Sequence, residues 1–147
     1  MAVKSLITAI ADIKPGRLEE LQSTFAAFQT PELLAQLSNI GLIHFAHWAI
    51  IDNDTRLVFV TNFDGNWDDY LDEFIAKGAD ELDVVFGHCV GYPEGGCRDV
   101  ETFKQYIRDH EYKAAVSYTA YPDATVIDVQ KALRIRQKFE AFLDEFQ

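Results

Sequence analysis

Basic residues are scarce in this chain. Thirteen lysines and arginines face 24 aspartates and glutamates over 147 residues, a formal net charge of −11. Binding duplex DNA, RNA or an anionic membrane needs cations that displace counterions, so none of these is an expected partner. The densest basic run, Lys131, Arg134, Arg136 and Lys138, lies among acids and reads as a solvated helix face. Cysteine is almost missing too, and Cys89 with Cys97 makes no disulfide framework. No apolar run is long enough to span a bilayer. The N-terminal "MAVKSLITAI" has no small-residue cleavage pattern, and Asp12 soon interrupts it. A soluble, cytoplasmic protein is expected. The glycine-rich dinucleotide fingerprint, the phosphate loop, the zinc-protease helix and the nucleophile elbow are all absent.

What is present is apolar and aromatic. Hydrophobic residues make up 48%, with eleven Phe, six Tyr and two Trp. That is enough for one folded domain over residues 1–147, and it suits an aromatic-lined cavity.

Periodicity gives the element order. Val3 to Ile13 alternates and predicts a strand that Pro15-Gly16 ends. Leu18, Leu21, Phe25 and Phe28 recur at helical steps. Thr30-Pro31 caps and starts a short second helix, which Gly41 closes. "LIHFAHWAII" and "RLVFVTNF", split by "DNDT", predict a hairpin. Asn66 caps a helix over about 67–86 that is weakened at Gly78. Asp99 precedes another helix with Val100, Phe103, Tyr106 and Ile107 on one face. Ala114 to Tyr121 predicts a last strand. Thr125 and Asp128 then sit at capping-box spacing before a final helix.

This β-α-β-β-α-β order predicts an α+β, ferredoxin-like fold: a four-stranded antiparallel sheet with extra helices. In element order and length the chain resembles the dimeric α+β barrel superfamily. "TNFDGNWDDYLDEF" is similar to a segment found in proteins of that architecture. The superfamily includes small monooxygenases, EthD-like proteins, and haem-binding chlorite-dismutase and dye-decolourising-peroxidase groups. The resemblance implies a homodimer with paired sheets and a small apolar or aromatic ligand. It also implies oxidative chemistry, with haem as one cofactor that such a fold can hold.

Strand parity splits the sheet into two faces. The mixed face collects Thr8, Asn62, Ser117, Thr119 and Tyr121, a composition that suits a ligand cleft, a dimer interface or a wetted surface. In "HFAHW", His44 and His47 are an odd step apart and point to opposite faces, so they do not share a metal. His44, in phase with Trp48, is the candidate acid/base or haem ligand, with Trp48 as a wall of the cleft.

"GHCVGYPEGGC", residues 87–97, gathers His88, Cys89 and Cys97 but lacks the paired spacing of a metal site. It reads as a helix terminator, with His88 suited as a cation to the helix end and a candidate for the cleft rim. His110 is placed as a partner of its own helix C-terminus. The acids Asp64, Asp68, Asp69, Asp72 and Glu73 read as a solvated helix start. The residues leave two functions open: a small-molecule enzyme or binder, and a non-catalytic module whose sheet face is buried by self-association.

Overall fold

A computed structural model describes residues 4–147. The strand start expected at Val3 lies outside them. Strands β1 (Lys4–Asp12), β2 (Ile43–Ile51) and β3 (Arg56–Asp64) form an antiparallel sheet in the order β1-β3-β2. Helices α1 (Leu18–Phe28) and α2 (Pro31–Ser38) join β1 to β2. After β3 come α3 (Trp67–Phe86), a 3₁₀ turn (Gly96–Arg98), α4 (Val100–His110) and α5 (Val126–Asp144).

Local chemistry sets most of these limits. Thr30 accepts from the Leu33 amide, and Pro31 opens α2. Asn66 accepts from the Asp69 amide at the start of α3, and Thr125 with Asp128 forms a full capping box on α5. Gly78 leaves helical geometry inside α3 (φ −144°, ψ 30°) and kinks it. The hairpin turns through Asp52, Asn53 and Asp54, all at positive φ. Asp99 precedes α4 without a side-chain cap, as Arg17 precedes α1.

The core lies on one face of the sheet. Ile7, Ala9 and Ala11 of β1 and Leu57, Phe59, Thr61 and Phe63 of β3 are buried there. Leu21, Tyr70, Phe74, Leu82, Val85, Phe86, Phe103 and Ile107 cover them from the helices. Each such large side chain contributes about 1.5–3 kcal/mol. Phe63 stacks on Tyr70 at 3.8 Å between centroids, and the Tyr70 hydroxyl meets Thr61 Oγ1 at 2.9 Å inside this layer.

Among the described residues, no helix covers the other face. Register aligns Leu6, Thr8 and Ile10 with Asn62, Val60 and Val58, and these with Phe45, His47 and Ala49. His47 is therefore the histidine on the open face.

Among the described residues the sheet has three strands, not the expected four. Glu111 bridges Ala9, and the Tyr112 amide donates to the Thr8 carbonyl at 2.7 Å, so the chain begins to pair with β1. Residues 113–120 then lift off as exposed, irregular chain. Their alternation is that of a strand, but no layer packs behind them to reward pairing. A lone flanking ribbon with both faces in water is marginal.

Thr61→Val leaves the Tyr70 hydroxyl unpaired in the core. Urea unfolding should show a loss of about 1–3 kcal/mol.

Candidate functional site

The most organised polar contact of the open side arises from a break in register. Ile43 pairs with Phe63 and Phe45 pairs with Asn62, so His44 is the extra residue of a bulge in β2. The bulge turns its ring toward the end of the sheet. There His44 Nε2 lies 2.6 Å from Asp64 Oδ1, with side chains 7% and 9% exposed. The other carboxylate oxygen, Oδ2, accepts from the Val126 amide at 2.7 Å. That amide is at the N-terminus of α5, where the dipole favours a negative charge. One carboxylate thus holds both a histidine and a helix start. With Nε2–H donated to Asp64, a neutral imidazole keeps Nδ1 as an acceptor. The Tyr121 ring leans on His44, with centroids 5.7 Å apart at 42°.

Beside this pair runs a groove of about 410 Å³. Leu6, Phe45 and Asn62 form its sheet wall, and Ser117, Thr119 and Tyr121 its outer wall, with His44 at the end. The Lys4 ammonium donates to the Pro122 and Ala124 carbonyls and lies 5.9 Å from the Tyr121 ring, pinning the outer wall to the sheet end. The groove combines apolar walls with hydroxyl, amide and imidazole groups, the composition of a small-molecule site.

Two of the expected site residues lie elsewhere. Trp48 faces the helix layer, stacked on Phe59 at 4.9 Å and near Phe25 at 6.4 Å. It lines a separate apolar groove with Phe28, Leu33 and Leu37, and its buried indole N–H has no partner among the described residues. The bulge explains the error: parity counted from Trp48 fails one residue after Ile43. His88 sits at the opposite end of β1, where its carbonyl accepts from the Lys14 amide at 2.8 Å. It is no part of this groove's rim.

The His88 loop is structural. Asp83 accepts from the Tyr92 hydroxyl at 2.6 Å and from the Cys97 amide at 2.8 Å. Burial would raise the Asp83 carboxyl, but these hydrogen bonds and Arg98 hold it below its ordinary value. Gly96, at φ +67°, brings the chain so close that a Cβ would stand 2.6 Å from Asp83 Oδ1. Burial pushes the Cys89 and Cys97 thiols each up to about 12, so neither is an activated nucleophile. Both thiols are free. Burial works against the helix-end charge expected of His88. Burial lowers its pKa, and the nearby Arg17 and Lys14 add to that against the pull of Glu20. His110 does serve its own helix, donating from Nδ1 to the Tyr106 carbonyl at 2.7 Å.

Asp64 is the residue that sequence reasoning missed. Its position in the sequence groups it with a solvated acidic run, yet it is 7% exposed. Its place opposite the His44 end of the hairpin was the available signal. Asp68 and Asp72 do behave as surface acids, shared by Lys104 at 3.2 and 2.8 Å.

With Nε2 held by Asp64, Nδ1 is the one nitrogen of His44 left to meet a ligand or a haem iron. Among the described residues, no group of three metal-binding side chains converges, and no helix is long and apolar enough to cross a membrane. No protein-family model matches the sequence, and no curated protein matches it.

Asp64→Asn weakens the His44 contact and the α5 N-terminal bond together. Chemical denaturation should show a loss of about 1–3 kcal/mol. His88 gives a pH signature. Its folded pKa is depressed below the ordinary 6.5, so the unfolded chain binds the proton first. The stability it contributes is present above that value and is lost as pH falls below it. His88→Gln should therefore flatten the stability profile between about pH 7 and pH 5, as read by urea midpoints across that range.

Proposed function

We propose that the chain binds a small apolar or aromatic molecule in the groove beside His44 and acts on it oxidatively, as a homodimer. The observation that carries this reading is the His44–Asp64 pair, 2.6 Å apart, at the end of a groove with mixed walls. Asp64 fixes the ring through Nε2, which leaves Nδ1 as the atom to take a proton from an acidic O–H or C–H of the ligand. Leu6, Phe45 and Tyr121 supply apolar contact, and Asn62, Ser117 and Thr119 anchor polar groups. The groove volume lies in the usual range of about 300–1,000 Å³ for small-molecule sites. The oxidative part of the reading rests on the family resemblance, and proton abstraction rests on the pair itself.

A second reading, a non-catalytic module built by self-association, is favoured by the uncovered apolar surface of α5.

Native mass spectrometry of the protein as isolated identifies a retained ligand. Asn62→Leu should weaken its binding about tenfold, the worth of one hydrogen bond. His44→Ala should leave binding within a few-fold and lower turnover about 10²–10⁴-fold. A ligand indifferent to both Asn62→Leu and Tyr121→Ala would place binding outside this groove.

A further inference from the structure

Helix α5 leaves the body of the protein with its apolar side bare. Among the described residues of the helix, only Val126 is buried. Leu133, Ile135, Phe139, Phe142, Leu143 and Phe146 are 45% to 74% exposed. Ile135, Phe139, Phe142 and Phe146 follow each other at steps of four and three and form one stripe. Val126 lies on the order of half a turn round the helix from the middle of that stripe. The side of α5 that touches its own body is thus the wrong one. Swinging the stripe inward would tear the Val126 amide from Asp64. The preceding segment is bare as well, with Val116 at 88% and Tyr118 at 90% exposed.

We infer that α5 is an exchange arm hinged at Val126, and that α5 of each copy lies across the open sheet face of the other. The inference rests on the homodimer of the reading above, with helix against sheet in place of the paired sheets that the resemblance implies.

Four observations choose a second copy as the occupant. The same chain carries an uncovered apolar sheet face, with Leu6, Ile10, Val58, Val60, Phe45 and Ala49 aligned on it. The dimensions agree: the 19 residues of α5 span about 28 Å and the 9-residue strands about 30 Å. Charge agrees too. Residues 126–147 hold four basic and four acidic side chains, so the whole net charge of −11 sits on the rest of the chain. Lys131, Arg134 and Lys138, on one flank of the stripe, therefore meet an acidic body. The area suffices as well. Six half-exposed large side chains leave on the order of 500 Å² of apolar surface per helix. Two arms and the faces they cover reach roughly 2,000 Å², the size of a stable interface. A reciprocal exchange closes by two-fold symmetry and leaves no stripe free. It also roofs the groove beside His44 with the partner's arm.

Size-exclusion chromatography with light scattering on the full chain should give twice 16.7 kDa. The double variant Phe139→Asp, Phe142→Asp should give the single mass with unchanged far-ultraviolet circular dichroism, since both side chains are already exposed. A benzophenone maleimide on Ala132→Cys reads the geometry, because Cys89 and Cys97 are buried and will not compete. In a mixture of isotopically light and heavy chains it should crosslink between chains to β2 or β3. Wild type running as a monomer overturns the inference, as does a dimer indifferent to the double variant. So do crosslinks that run from helix to helix, or a monomer that sediments with phosphatidylcholine–phosphatidylserine vesicles. A monomer that still retains a ligand sensitive to Asn62→Leu would sink the arm and leave the groove reading standing.

Discussion

Strand β3 is paired along both edges and buried along one face, and nearly everything else is positioned by it. Phe59, Thr61 and Phe63 point into the helix layer, where Tyr70 and Phe74 meet them. The alternate residues, Val58, Val60 and Asn62, are thereby committed to the other face. A side-chain period of two allows no compromise: once Phe59 is in the core, Asn62 is out of it. The central strand therefore decides which side of the sheet can be core and which can be site.

Its last residue carries that decision into chemistry. Asp64 ends β3 with one oxygen on His44 and the other on the first amide of α5. Such a carboxylate is costly to bury unless each oxygen is satisfied, and here both are. The histidine comes from a bulge, the helix from a capping box, and the acid from a strand end. These three locally unremarkable features become a site only because they converge. The same carboxylate fixes where α5 starts and so which way its apolar stripe faces. The groove and the arm are coupled through one side chain.

Much of the body was legible in the sequence because its signals are local. Thr30 with Pro31, Asn66, and Thr125 with Asp128 mark helix starts through bonds spanning a few residues. Gly78 marks the kink in α3, and the Asp-Asn-Asp turn marks the hairpin. The α+β class and the antiparallel sheet follow from those elements in order. The segment from Ala114 to Tyr121 misled for the opposite reason. Its alternation is real, but a strand is decided by what pairs with it and packs behind it. In a single chain neither is supplied past Tyr112.

By itself the sequence determined where helices begin, where the chain turns, which residues alternate, and that strongly anionic partners are unfavourable. Those properties depend on neighbours a few positions apart or on totals. The tertiary structure decided that Trp48 faces the helices, that His88 is enclosed by α1 side chains far from the groove, and that Asp64 is a buried partner and not a surface acid. Each of these depends on a single-residue shift in register or on contacts between residues distant in the chain. A bulge of one residue after Ile43 reversed the expected company of His44. No periodicity within one strand records such a shift, because it is fixed only when the neighbouring strand and the helix layer are in place.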